Sequence, residues 1–144
     1  MTRINCIPPL ALHSKHLVAE YRELPRVFSL AGSSYHWGLR PDDLKRKKVY
    51  QLGKGHVLFF YDKLEFLRKR HGLLSLEMAS RGYACNIDCS FAMCDLPDEW
   101  QHDWSPDAQA INRCLTRILQ REKEMHIPWP DTMARMKRAG IIPS

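Results

Sequence analysis

The first residues of the chain, Met1-Thr2-Arg3, carry groups that could perform covalent chemistry. Because Thr2 is small, an aminopeptidase is expected to remove Met1 and leave Thr2 with a free α-amino group. Such an amine has a reference pKa of about 8, against about 10.4 for lysine, so more of it is unprotonated near neutral pH. An unprotonated amine can attack a sugar carbon or an aldehyde and form an imine. Most N-termini are inert, so the residues alone make Thr2 only a candidate nucleophile.

Glu23 is the carboxylate that could assist such an amine. It lies between Arg22 and Arg26 in a basic stretch of the chain. A carboxylate near the amine could stabilise a cationic imine and move protons. The alternative is an exposed helix carboxylate that only pairs with the two arginines. Glu20 is a weaker candidate for the same role, because it lies about 60° away around the helix.

Basic side chains surround this candidate pair. Arg22 and Arg26 are four residues apart and share a helix face, and Arg3 adjoins the candidate nucleophile. Arginine binds phosphate oxygens in a fork, so the three could form a phosphate clamp, with a solvated basic face as the alternative. His16 falls on the same side of the helix as the carboxylate, about two turns earlier, and is assigned a supporting contact.

Helical periodicity predicts the first element that positions these residues. An irregular arm over residues 1–13 precedes a helix that Ser14 is predicted to cap. Pro25 falls inside this helix and should bend the axis or leave the carbonyl of Tyr21 free. The buried stripe of the helix is formed by Leu17, Tyr21, Leu24 and Phe28.

Two further main helices and one short helix are predicted. The second follows a capping box at 62–65 and stops at Gly82, and the third follows an N-cap at Ser105. A short basic helix is expected over 131–139. No segment alternates with period two, so the fold is predicted to be all-α, one compact domain over 1–144 with three main helices and long connecting loops.

Composition favours a polyanionic partner. The chain has 144 residues and a net charge of +6, with a pI near 9.2, which makes nucleic acid the first candidate. The basic run from Arg40 to Lys54 should add salt-dependent affinity that is independent of sequence. No apolar run could cross a bilayer and no secretory signal is present, so a cytoplasmic location is expected. A monomer is expected because no exposed apolar stripe is left over.

The five cysteines do not indicate a metal site. Their number is odd and no export signal precedes them, so free thiols are expected. Cys85, Cys89 and Cys94 cluster, but without the close paired spacing of zinc ligands. A loop with small buried thiols is the favoured interpretation.

Two blocks of sequence resemble one known family. The first block is residues 1–5 together with HLVAEYRELPR at 16–26, and the second is LGKGHVLFFYDKLEFLRKR at 52–70. The chain resembles the pyrimidine-dimer DNA glycosylase and AP lyase family, of the ultraviolet-damage endonuclease V type of T-even phage. Two motifs of this length are far more specific than one short pattern.

The resemblance implies a DNA repair reaction in two steps. The amine of Thr2 attacks C1′ of the 5′ nucleotide of a cyclobutane pyrimidine dimer and displaces the base. The resulting imine undergoes β-elimination, which cuts the strand, with Glu23 as the acid/base or electrostatic partner. The implied substrate is double-stranded DNA that contains pyrimidine dimers or abasic sites, and no metal or organic cofactor is required.

The resemblance also favours the phosphate clamp over a solvated basic face. A dimer weakens stacking and pairing, so a kinked duplex with an extruded nucleotide costs less there than in intact DNA. Arg117 and Arg121 lie one turn apart on the third predicted helix, at positions where the family also places basic residues, and they are expected to contact the DNA backbone. The residues implied to bind DNA are Arg3, His16, Arg22, Arg26, Arg117 and Arg121.

The C-terminal tail, about residues 126–144, departs from the sequence pattern of this family. Known phage members end in an aromatic-basic tail, whereas this chain offers Trp129 and scattered basic residues. Three hypotheses therefore stand: a glycosylase and lyase for pyrimidine dimers, a related lyase for abasic or other damaged sites, and a non-catalytic basic DNA-binding module.

Overall fold

Helices dominate the part of the chain that the computed structural model describes, residues 3–41, 50–51, 55–87 and 95–143. Within these ranges the chain forms five α-helices and no named strand. Thr2 and most of the basic run from Arg40 to Lys54 lie outside the described residues. The helices are α1 Ser14–Glu23, α2 Pro25–His36, α3 Leu64–Ser80, α4 Ala108–Glu124 and α5 Trp129–Arg138.

Pro25 divides the predicted first helix into α1 and α2, with Leu24 between them. Proline has no N–H, so it cannot donate to the carbonyl of Tyr21 one turn earlier. His71 on α3 supplies the missing donor, since its Nε2 lies 3.1 Å from that carbonyl oxygen. The prediction that the proline frees this carbonyl is confirmed, and the freed group joins α1 to α3.

The predicted starts of the helices are wrong by one or two residues. α1 is capped by Nδ1 of His13 instead of by Ser14, and α4 is capped by Oδ1 of Asp107 instead of by Ser105. The capping box at 62–65 does not form, because α3 has no side-chain cap. Several neighbouring residues have the right chemistry, and only tertiary packing decides which of them caps a helix.

The apolar stripe of the predicted first helix is confirmed. Leu17, Tyr21, Leu24 and Phe28 are all buried, which places α1 and α2 against the core. The N-terminal arm, residues 3–13, contributes Ile4 to the same core although it is mostly irregular. The inward side of α3 is formed by Leu64, Leu67, Leu74 and Met78.

Two further features of the fold bear on the predictions. Gly82 and Gly140 have φ of +84° and +74°, a left-handed conformation that ends α3 and α5 as predicted.

Cys85 is exposed, so the expectation of a buried thiol there is wrong, and Cys89 and Cys94 lie outside the described residues. None of the helices that the structure describes is long and apolar enough to cross a membrane.

Candidate active site

A cavity of about 200 Å³ lies between the N-terminal arm, α1 and α4. The arm contributes Arg3, α1 contributes His16 and Glu23, and α4 contributes Arg117 and Arg121. These five side chains are among those that the sequence marked for catalysis or DNA binding. The remaining lining residues are Asn5, Ala19, Glu20 and Ile118.

Helix geometry explains why these residues meet. On α1, His16, Glu20 and Glu23 follow one another at spacings of four and three residues, so they share one face. On α4, Arg117 and Arg121 are four residues apart and also share a face. The cavity forms where these two faces approach the arm, and it therefore depends on the packing of segments about 100 residues apart in the chain.

Three arginine side chains, those of Arg3, Arg117 and Arg121, line the cavity. Burial lowers the pKa of Arg3, and the nearby cations of Arg117 and Arg121 lower it further. The Nε and Nη1 atoms of Arg3 are buried and have no hydrogen-bond partner among the described residues. Buried donors without a partner are costly, and a guanidinium group satisfies them best with a phosphate or carboxylate. Arg121 differs, since it pairs with Glu124 at 2.9 Å in an exposed position.

His16 stands in the cavity as a neutral group. Burial, followed by the charges of His13 and Arg121, lowers its pKa to about 4. Both ring nitrogens are buried, and neither has a hydrogen-bond partner within the described ranges. At neutral pH the ring can offer one N–H donor and one acceptor, but no positive charge. His16 is therefore suited to hydrogen bonding in the cavity and not to ionic pairing with a phosphate.

Glu23 and Glu20 lie one turn apart on α1 with opposite surroundings. Glu23 is half-buried and has no hydrogen-bond or salt-bridge partner among the residues the structure describes. It does not pair with Arg22 or Arg26, so the interpretation as a simple surface ion pair does not hold for these residues. A carboxylate left without such partners at the cavity can act on a bound molecule.

Glu20 is held by the protein itself. Its side chain is 2% exposed. Arg70 on α3 donates from Nε to Oε2 at 2.8 Å and from Nη2 to Oε1 at 3.1 Å, while Asn5 Nδ2 donates to Oε1 at 2.7 Å. The sequence contained a signal for a buried arginine, because Arg70 falls at an inward position between Leu67 and Leu74, but none for its partner.

Arg22 and Arg26 lie outside the cavity. Both are exposed, and Arg22 lines a separate surface depression that also includes Lys15 and Tyr83. The three arginines of the predicted clamp are therefore not gathered in one cavity. Arg3 is inside it, whereas the other two extend the basic surface beyond α1.

Two residues that hold the arm were missed by the sequence interpretation. His56 Nε2 accepts the N–H of Ile4 at 2.8 Å, and the Tyr50 hydroxyl donates to the carbonyl of Ile4 at 3.0 Å. Both side chains are almost completely buried. These contacts join positions about 50 residues apart, so no local pattern predicts them.

Comparison with known proteins identifies the relevant family. A family model described as pyrimidine dimer DNA glycosylase matches residues 1–91. The match includes the arm, α1, α2 and α3, while Arg117 and Arg121 on α4 lie beyond it. Within the described residues, no group of three or more His, Cys, Asp or Glu side chains could hold a metal ion.

Proposed function

Because the chain belongs to the pyrimidine dimer DNA glycosylase family, we propose that it is a bifunctional glycosylase and AP lyase that excises cyclobutane pyrimidine dimers through its N-terminal amine. The family is one of DNA repair glycosylases, and its substrate is DNA. The observation that carries the proposal is the cavity in which Arg3 lies with Glu23. Thr2, the proposed nucleophile, immediately precedes Arg3 in the chain.

The proposed reaction begins with displacement of the base. The lone pair of the Thr2 amine forms a bond to C1′ while the glycosidic bond from C1′ to the base breaks. The electrons of the broken bond leave with the base, which takes up a proton. Opening of the sugar ring then gives a protonated imine between the Thr2 nitrogen and C1′. Loss of a C2′ proton expels the 3′ phosphate and cuts the strand, after which water releases the amine.

Glu23 has two roles in this scheme. Its carboxylate stabilises the positive charge that develops on the sugar and on the imine. It also accepts a proton from the attacking amine or from C2′. The absence of a competing partner for Glu23 among the described residues supports both roles, since a carboxylate already bound by the protein would have to give up those bonds.

The basic side chains would bind the DNA backbone and favour the reactive form of the amine. Arg3, Arg117 and Arg121 line the cavity and are proposed to bind phosphates at the lesion. Arg22 and Arg26 would extend this contact along the exposed surface. Nearby cations also favour the neutral amine over the ammonium form. Neutral His16 is proposed to hydrogen bond to the substrate.

Borohydride trapping tests this proposal. Reduction of the imine gives a stable amine, so a dimer duplex and an abasic duplex should each become covalently linked to the protein. The mass of the intact protein must first show that Met1 is absent, and peptide mapping should place the adduct on Thr2. Protein that retains Met1 is the control. Failure of both duplexes to trap with verified Thr2 protein would leave only the non-catalytic DNA-binding module.

A second candidate function, a lyase mainly for abasic or other damaged sites, is favoured by the position of Trp129. This aromatic residue is 61% exposed at the start of α5. It lines a groove with Leu119 and Lys123 on α4 and not the cavity. The tail therefore places no described aromatic side chain at the proposed site. Faster cleavage of the abasic duplex, with little cleavage of the dimer duplex, would identify this second function.

A further inference from the structure

Ile4 is held at both of its backbone polar groups by side chains from distant parts of the chain. His56 accepts its N–H, and Tyr50 donates to its carbonyl. The arm at Ile4 belongs to no helix or strand, so these bonds replace those that secondary structure would supply. The side chain of Ile4 is itself fully buried. The backbone is therefore fixed at a point two residues from Thr2.

The tautomer of His56 suits this contact. Its Nδ1 lies 2.7 Å from the carbonyl oxygen of Gln51, which can only accept, so Nδ1 carries the hydrogen. Nε2 is then the acceptor that the N–H of Ile4 requires. Burial lowers the pKa of His56 to about 4, which keeps the ring neutral and preserves the acceptor at neutral pH.

Tyr50 and His56 belong to a cluster of packed aromatic rings. The Tyr50 ring stacks on Trp104 with centroids 5.7 Å apart and an interplanar angle of 18°, and it meets His56 edge-on at 5.4 Å. Arg113 on α4 donates from Nη1 to the Tyr50 carbonyl at 2.6 Å. Arg113 lies one turn before Arg117 on the same helix. The groups that hold the arm are thus tied to the helix that lines the cavity.

We propose that Tyr50 and His56 are positioning residues that hold the N-terminal amine at the cavity by clamping the backbone of Ile4. This inference rests on the proposed function of Thr2. Two residues of chain span at most about 7 Å, so fixing Ile4 confines the amine to a small volume. A displacement of about 1 Å can cost on the order of 100-fold in rate. Release of the arm should therefore slow imine formation without removing any reacting group.

The test compares three variants with a matched control. Tyr50→Phe removes only the hydroxyl that bonds Ile4, and His56→Phe removes both ring nitrogens while keeping a ring. His56→Gln places an amide oxygen near the former Nε2 and can still accept the N–H of Ile4. Tyr21→Phe is the control, because it also deletes a tyrosine hydroxyl bonded to backbone, at Ile87 instead of in the arm.

Single-turnover trapping with an abasic duplex gives the main readout. Tyr50→Phe and His56→Phe should slow imine formation about 10- to 100-fold, with the dissociation constant of the duplex nearly unchanged. His56→Gln should recover much of the rate, and Tyr21→Phe should match the wild type. Rates for all four variants equal to the wild-type rate, or a loss of rate explained by reduced folded fraction in thermal melts, would overturn the proposal.

A second measurement tests the contact between His56 and Ile4 independently of the proposed function. The bond from Ile4 to His56 joins two nitrogens, so NMR of ¹⁵N-labelled wild type should show a coupling across it between Ile4 N and His56 Nε2. Absence of this coupling overturns the clamp whatever the activity. If the wild-type protein fails to trap either duplex, the proposed function fails and the catalytic role of the clamp fails with it. If the wild type traps and the clamp variants trap equally fast, only the clamp fails.

Discussion

Two carboxylates one turn apart on α1 show how differently one helix can use the same chemical group. Glu20 receives three hydrogen bonds from Arg70 and Asn5 and is almost fully buried. Glu23 has no partner among the described residues and lies at the basic cavity. A paired buried charge is part of the folded structure, because removing its partner is strongly destabilising. A charge without protein partners contributes little to folding and can act on a substrate.

The substitution Glu23→Gln tests the difference between the two carboxylates most directly. The variant should lose about 100- to 10,000-fold in turnover of a dimer duplex, because a general acid/base or charge stabiliser is removed. Its stability should change by about 0.5 kcal/mol or less, since no protein contact among the described residues is lost. Single-turnover cleavage and thermal unfolding measure the two effects. Normal turnover would remove Glu23 from the mechanism.

The same chemical change one turn earlier should have the opposite result. Glu20→Gln leaves the Arg70 guanidinium buried without its counter-charge, which should cost about 3–5 kcal/mol of folding free energy. Protein that remains folded should still trap an abasic duplex. The double variant Glu20→Gln/Arg70→Met should recover part of the loss in urea unfolding. A fully stable Glu20→Gln protein would show that the ion pair is not structural.

Acid should reveal a related difference between His56, which is buried, and His16, which is half-buried at the cavity. Both His16 and His56 have a pKa lowered to about 4, mainly by burial, from an ordinary value of 6.5. The unfolded chain therefore binds more protons between these values, so stability is fully present above pH 6.5 and falls as the pH is lowered towards 4. For His56, which is 1% exposed, the loss is on the order of 3 kcal/mol.

Urea unfolding at neutral pH and at about pH 4.5 measures this loss. His56→Gln should reduce the dependence of the unfolding free energy on pH more than His16→Gln does, because His16 is only half-buried. Unchanged acid sensitivity in His56→Gln would show that His56 is not held neutral by its surroundings.

The two faces of α4 should differ modestly in their contribution to DNA binding. Arg117→Ala should weaken duplex binding a few-fold and reduce the slope of log affinity against log salt by about one, as expected for a lost phosphate contact. Lys123→Ala is the control, since Lys123 lies on the groove side of the same helix. Titrations by fluorescence anisotropy at several salt concentrations measure both slopes. Equal salt slopes for Arg117→Ala and Lys123→Ala would show that Arg117 makes no specific phosphate contact.

The parts of the fold that depend on local pattern could be predicted from the sequence. The stripe from Leu17 to Phe28, the proline break at Pro25 and the glycine stops follow from helix geometry and backbone chemistry. The separate roles expected for Glu23 and Arg117 came from the family resemblance and not from periodicity. That the two side chains line one cavity was not predicted, because it depends on how the arm, α1 and α4 are arranged around it.

The contacts that hold the site could not be predicted from local pattern. Arg70 sits at an inward helical position, yet nothing near it in the chain indicates Glu20 as its partner. His56 has the same limitation, because its bond to Ile4 crosses 52 residues and depends on which tautomer Gln51 selects. Exposure of Arg22 likewise follows from the exact rotation of α1. Such features require the packed structure.

The contact between His71 and the carbonyl of Tyr21 has an evolutionary consequence. Proline at position 25 removes the donor that would otherwise satisfy this carbonyl, and histidine replaces it. The two positions are therefore expected to change together among descendants of this gene. A lineage that replaced Pro25 by a residue with an N–H would restore the bond within the helix and relax selection on His71. Loss of His71 alone would leave an orphaned acceptor, so the histidine should rarely disappear first.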